Sequence, residues 1–150
     1  MARPKIRIRV GGIVMERGKV LLVEHTKGAR RYWLTPGGGV DFGESIPDAL
    51  IREFQEELAL SIVPGQLLWV SESIDPDGER HIVHMTFRCT RKRGGEIRLG
   101  NDKRLSDFAW FTADKLDEVT IYPKFLKHKL KELLAGKKPA AGYAGEGWDR

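Results

Sequence analysis

The sequence predicts an α+β domain from three observations: period-two alternation with a glycine turn in the opening third, one well-capped helix after a glycine run, and short strand-like runs leading to two closing helices. Lys5-Ile6-Arg7-Ile8-Arg9-Val10 alternates basic and apolar side chains, the pattern of a strand with one buried face. Ile13-Val14-Met15 and Val20-Leu21-Leu22-Val23 flank Glu16-Arg17-Gly18-Lys19, where glycine supplies the positive φ of a tight hairpin. Trp33-Leu34 reads as a short strand entering Pro36-Gly37-Gly38-Gly39, a loop whose backbone other groups can approach closely. Ser45 is placed to cap a helix from about 46 to 58, with Pro47 and Asp48 suited to its first turn. Further strands are expected at Leu67 to Val70, His81 to Arg88, Glu96 to Leu99 and Phe108 to Phe111, separated by the turn signals Asp75-Pro76-Asp77-Gly78 and Gly94-Gly95. Thr112 precedes a short helix over Ala113 to Val119. Pro123 to Leu134 forms a longer one, with Leu126, Leu130, Leu133 and Leu134 on one face and Gly136 stopping it.

At 150 residues the chain is expected to be one domain, residues 1–135, followed by a Gly- and Ala-rich tail, 136–150, without periodicity and therefore mobile or merely laid on the surface. Hydrophobic residues at 41% against 31% charged exclude disorder as the main state, and no apolar run is long enough to cross a bilayer. The lone Cys89 can form neither an internal disulfide nor a thiolate metal cluster, and the first residues lack the apolar stretch of a secretory signal. A soluble cytoplasmic protein is expected. The net charge of +5 favours anionic partners, phosphorylated small molecules or nucleic acid, though a solvated basic surface explains it equally well.

The chemistry concentrates between Gly38 and Leu60. On a helix turning about 100° per residue, Glu53, Glu56 and Glu57 fall within an arc of about 100°. Leu50, Phe54, Leu58 and Ile51 occupy the neighbouring arc, so the carboxylates border the buried stripe. Like charges at these spacings destabilise an isolated helix by roughly 0.2–0.5 kcal/mol per pair. A hard divalent cation would compensate them, since Mg²⁺ binds carboxylate oxygens together with substrate phosphates. From spacing alone, a solvated acidic face is the other reading.

The flanks narrow the choice. Gly38, Glu44 and Arg52-Glu53-Phe54-Gln55-Glu56-Glu57-Leu58-Ala59-Leu60 resemble the box of the Nudix hydrolase family, G-x5-E-x7-R-E-U-x-E-E-x-G-U, at every defined position but Ala59, where the family has glycine. The early hairpin, Trp33 with the glycine run, and Phe108-Ala109-Trp110-Phe111 before a short helix extend the likeness over roughly residues 5 to 134. The resemblance implies the Nudix fold, a mixed β-sheet sandwiched between α-helices. It also implies that Glu53, Glu56 and Glu57, with the carbonyl of Gly37, hold Mg²⁺ or Mn²⁺, and that Glu44 and Arg52 support them. A bidentate Arg52–carboxylate bond would serve that support, and a phosphate contact is its alternative. Ala59 removes no ligand but leaves the shape of the helix exit open.

The activity so implied is metal-dependent hydrolysis of a nucleoside diphosphate linked to another group, a nucleotide small molecule. ADP-ribose comes first, on the weak cue of Pro76 sixteen residues after Leu60; a plain turn at Asp75-Pro76-Asp77-Gly78 explains that proline equally. A noncanonical or oxidised nucleoside triphosphate, pyrophosphate removal from RNA 5′ ends, and a nucleotide-binding module without hydrolysis are the alternatives, and a homodimer stays open. Candidates for proton transfer are Glu53, Glu56 and Asp102, with Asp75, Asp77, Glu79 and Asp107 unranked behind them. His81 and His84 should face opposite sides of their strand. Trp33, Phe87 and Trp110 could stack on a base but suit a core. Lys27, Arg30 and Arg31 could meet phosphate but suit a solvated loop.

Overall fold

The computed structural model describes residues 3–92 and 94–148. Its elements are β1 (Ile6–Glu16), β2 (Lys19–Lys27), β3 (Arg30–Leu34), β4 (Gly37–Gly39), α1 (Ile46–Leu58), β5 (Ile62–Ile74), β6 (His81–Arg91), β7 (Leu105–Phe111), α2 (Ala113–Leu116), α3 (Lys124–Leu134) and β8 (Tyr143–Glu146). The strands follow the order β3-β2-β1-β6-β5-β8, with β4 on β1 and β7 on β2. β1 runs parallel to β6 and antiparallel to β2 and β4, so the sheet is mixed. One core packs Leu50, Phe54 and Leu58 of α1 against Val10, Val14, Leu21 and Val23. A second packs Leu126, Leu130 and Leu133 of α3 and Leu116 of α2 against Ile13, Leu22, Trp33, Trp69 and Phe111. Alternate side chains of one strand thus enter opposite cores, and the sheet lies between helices as the sequence implies.

The two predicted strands at the start are one, pairing with β6 from Ile6 to Val14 and with β2 at Met15 and Glu16. Its expected buried face begins only at Val10, which is fully buried, while Ile6 is 62% exposed. The glycine run is a short strand rather than a loop, because it pairs with Arg9 to Gly11. Ser45 caps α1 by accepting from the Asp48 N–H at 3.2 Å.

Three departures bear on function. No strand forms at Glu96 to Leu99, because that segment docks on the end of α1: Arg98 N–H donates to the Leu58 carbonyl at 2.9 Å and Gly100 N–H to that of Glu57 at 2.8 Å, satisfying carbonyls the helix leaves unpaired. Ala59 adopts the left-handed conformation itself, φ 53° and ψ 32°, so the helix exit keeps the shape a glycine would give. The tail expected to be mobile or laid on the surface contributes β8, which pairs in parallel with the edge strand β5.

Candidate active site

Glu53 and Glu57 meet β4 at Gly38 and Gly37. A Cβ on Gly38 would lie 2.3 Å from the Glu53 carboxyl carbon, so no larger residue fits there without displacing it. Gly37 N–H donates to Glu57 Oε1 at 2.7 Å, fixing that buried carboxylate. Arg52 holds the flank: its Nε and Nη2 bond the two oxygens of Glu44 at 2.7 and 2.9 Å, its Nη2 reaches the Gly39 carbonyl at 3.0 Å, and its Nη1 reaches Glu53 at 3.0 Å and Glu56 at 3.3 Å. The Arg52 bond, aided by the Asp41 N–H, holds the Glu44 carboxyl at about 2. The bond to Glu44 in turn raises the Arg52 pKa against the lowering effect of burial.

Glu53, Glu56 and Glu57 line a cavity of about 430 Å³ together with Gly37, Gly38 and Gly39. Asp102 joins them. Its loop reaches the site because Gly100 passes so close to α1 that a Cβ would lie 1.9 Å from the Glu56 carbonyl oxygen. The same cavity is lined by Arg7 and Arg9 from β1, by Arg80 and by Arg104, the last 3.5 Å from the Asp102 carboxylate. Arg9 Nη2 donates to the Thr35 carbonyl at 3.0 Å. Burial lowers its pKa, opposed by the charges of Glu57 and Glu53. Burial likewise raises the Glu53 carboxyl, with the Arg52 bond opposing and the neighbouring Glu57 and Glu56 charges reinforcing it. The Arg104 N–H, at 2.9 Å, lowers the Asp102 carboxyl.

A second cavity of about 130 Å³ adjoins the first, sharing Arg9, Leu34, Ile82 and His84 with it. Its other walls include Trp69, Tyr122, Phe125 and Trp148. Tyr122 is held in place by exchanges with β3, Trp33 N–H to the Thr120 carbonyl at 2.8 Å and Tyr122 N–H to the Trp33 carbonyl at 2.9 Å. His84 lies beside Arg9 in the strand register and shares a 3.0 Å hydrogen bond with Ser73. Burial, then the Arg9 charge, lowers its pKa to about 4.

Other sequence candidates fall elsewhere. His81 pairs with Glu72 at 2.6 Å, so the two histidines do serve opposite faces. With Lys27 and Arg30, Asp75, Asp77 and Glu79 line a neighbouring depression, which shares Arg80 with the larger cavity and Tyr122 and Trp148 with the smaller. The Asp75–Gly78 turn closes by its own hydrogen bonds, Gly78 N–H to the Asp75 carbonyl at 2.9 Å and Asp77 N–H to the Asp75 carboxylate at 2.9 Å. Asp107 accepts from the Phe108 N–H at 2.8 Å. Arg30 is spent on Tyr122, 2.7 Å from its hydroxyl. Trp33 packs edge-on against Phe111 in the core, and Phe87 and Trp110 are core-packed too. Cys89 is buried and its thiol pushed up to about 12, so it is chemically quiet.

Sequence reasoning missed Arg9, His25, Arg104 and the aromatic set of the smaller cavity. For Arg9 a signal existed, since the alternation of β1 puts Arg7 and Arg9 on one face. His25, Arg104 and Trp148 reach the site through tertiary folding and had none.

The donor set suits a hard divalent cation: the carboxylate oxygens of Glu53, Glu56 and Glu57 beside a glycine strand whose carbonyls add further oxygen donors. The His25 Nε2 is buried without a hydrogen-bond partner among the described residues, 3.8 Å from Glu57 Oε2. Among the described residues no three carboxylate, imidazole or thiol groups stand close enough to enclose a metal in this arrangement, in which Arg52 engages both Glu53 and Glu56. A cation would take over those two bonds.

Comparison with known proteins is consistent with this geometry. The NUDIX domain model matches residues 5–133. The ADP-ribose pyrophosphatase of Methanocaldococcus jannaschii is 31% identical over 102 residues, covering 67% of this chain and 60% of that protein. An uncharacterised Nudix hydrolase of Bacillus subtilis is 45% identical over 109 residues, covering 70% of this chain and 65% of that protein. The matched region thus spans less than two thirds of either relative. Among solved structures, the MutT NUDIX hydrolase of Burkholderia pseudomallei is similar with a TM-score of 0.73 at 26% identity, covering 84% of this chain and 98% of that one.

Proposed function

The chain belongs to the Nudix family, and from that premise we propose that it is a divalent-metal-dependent pyrophosphohydrolase acting on a nucleoside diphosphate linked to another group, with ADP-ribose the first substrate to try. The observation that carries this reading is one cavity lined both by carboxylates, Glu53, Glu56 and Glu57, and by arginines, Arg9, Arg80 and Arg104. Convergent carboxylates call for a cation and guanidinium groups for an anion; a metal-bound diphosphate answers both.

Glu53, Glu56 and Glu57, with the Gly37 carbonyl, would hold Mg²⁺ or Mn²⁺, which when bound neutralises phosphate oxygens and makes water a better nucleophile. Arg9 and Arg104, which line the same cavity, would orient the diphosphate. Water adds to one phosphorus and the bridging P–O bond breaks, so two phosphorylated products leave and one proton must be taken up. Glu53, Glu56 and Asp102 line the same cavity and are the candidates to accept that proton. Glu44 and Arg52 keep the carboxylates in place. ADP-ribose is favoured by the name of the relative from M. jannaschii.

The test is a panel of nucleoside diphosphate derivatives, oxidised triphosphates and 5′-triphosphorylated RNA with Mg²⁺ or Mn²⁺, products identified by mass. ADP-ribose is expected to give AMP and ribose 5-phosphate. Glu53→Gln, Glu56→Gln and Glu57→Gln should each lower turnover by orders of magnitude while circular dichroism stays that of the folded protein. No cleavage of any member, or full turnover in all three variants, refutes the reading. Steep loss of activity with salt would transfer the assignment to RNA ends, because counterion release dominates binding to a polyanion.

A further inference from the structure

The C-terminal strand delivers a side chain that the hydrolytic chemistry does not use. β8 is fastened to β5 at both ends: Val70 N–H donates to the Gly142 carbonyl at 2.9 Å and Gly147 N–H to the Glu72 carbonyl at 3.0 Å. The Tyr143 hydroxyl donates to the Glu72 carboxylate at 3.0 Å, whose other oxygen engages His81. Just past this attachment, Trp148 forms part of the wall of the smaller cavity. Its indole Nε1 is buried and has no hydrogen-bond partner among the described residues. A buried donor left unpaired is costly, and indole nitrogen can only donate, so what it lacks is an acceptor.

The cavity suggests where that acceptor comes from. Its volume of about 130 Å³ is close to that of an apolar cavity, about 150 Å³, that takes up one benzene ring. Tyr122 and Phe125 supply aromatic wall, and the His84–Ser73 pair a polar one. Arg9 and His84 border both cavities, so a ring held here is continuous with phosphates held in the larger one.

We infer that Trp148 is a specificity-determining residue whose indole N–H donates to an acceptor nitrogen or carbonyl oxygen on the six-membered ring of the substrate's nucleobase. This rests on the nucleotide-hydrolase reading. The C-terminal strand is then part of the binding site, and the base is selected by having an acceptor on the inserted edge.

The full chain, free of divalent metal, is titrated with AMP, GMP, CMP, UMP and ribose 5-phosphate while indole N–H resonances are followed. The Trp148 signal is identified by its loss in Trp148→Phe. At least one nucleotide is expected to shift that signal, and ribose 5-phosphate is not. Trp148→Phe keeps a ring and loses the donor; it should weaken that nucleotide about 2- to 12-fold, one neutral hydrogen bond, and leave ribose 5-phosphate unaltered. Trp148→Ala should weaken it further. A Trp148 signal that no nucleotide moves, or nucleotide affinity identical in wild type and Trp148→Phe, overturns the inference. Turnover in Mg²⁺ separates the two readings. Hydrolysis with wild-type KM in both Trp148 variants sinks this one and spares the hydrolase; a nucleotide that binds at Trp148 without any turnover in the panel does the reverse.

Discussion

Ala59→Gly is expected to stabilise the protein without touching its chemistry. Ala59 ends α1 at φ 53°, ψ 32°, where the Cβ of an L-residue crowds the following carbonyl, a strain of about 1–2 kcal/mol. Its N–H donates to the Gln55 carbonyl at 3.0 Å and that of Leu60 to Phe54 at 3.3 Å, so the chain is held in that conformation by the helix end itself. Glycine removes the strain but frees the unfolded chain, returning about 0.4–1 kcal/mol. The difference leaves a net gain of about 0.5–1 kcal/mol, or about 1–4 °C in Tm for a domain of this size. Thermal unfolding followed by circular dichroism, checked by a urea midpoint at unchanged slope, measures it. Turnover should be unaltered, since Ala59 supplies only backbone. A Tm equal to or below that of the wild type would refute the strain and the left-handed exit it comes from.

Two further outcomes follow from the site. Arg52→Lys keeps a charge but loses the fork that grips both oxygens of Glu44, and should lower kcat about 10²-fold with the fold retained, because catalytic carboxylates displaced by about 1 Å lose that much; wild-type kcat would show that the fork orients nothing. His84, held neutral down to about 4, charges earlier in the unfolded chain, near 6.5. Its contribution to stability is therefore complete above pH 6.5 and is lost as pH falls from there to about 4, up to about 3 kcal/mol in all. Urea unfolding across that range should fall more steeply for the wild type than for His84→Gln, and parallel curves would contradict the assignment.

Much of the fold was legible because its signals are local. α1 could be read to the residue, since Ser45, Pro47 and the apolar arc around Phe54 act within a few positions of one another. The strand at Glu96 to Leu99 was misread because its backbone partners are the carbonyls of Glu57 and Leu58, some forty residues earlier, and nothing nearby announces them. β8 was missed for the related reason that Gly142 to Gly147 has no periodicity and forms a strand only against β5. In the site, the motif side of the cavity was legible, spacing on one helix being a local property. The arginine wall and the aromatic cavity are assembled from β1, β6, α3, the 98–104 loop and the C-terminus, and only the alternation at Arg7 and Arg9 hinted at them.

The central claim is that one turn of α1 holds a divalent cation against a diphosphate. Anomalous scattering from crystals soaked with Mn²⁺ and ADP-ribose in the Glu53→Gln background, which slows turnover, tests it directly. The account predicts manganese between Glu56, Glu57 and the Gly37 carbonyl, with the diphosphate between it and Arg9. Manganese absent from those residues, with the nucleotide bound elsewhere, contradicts it.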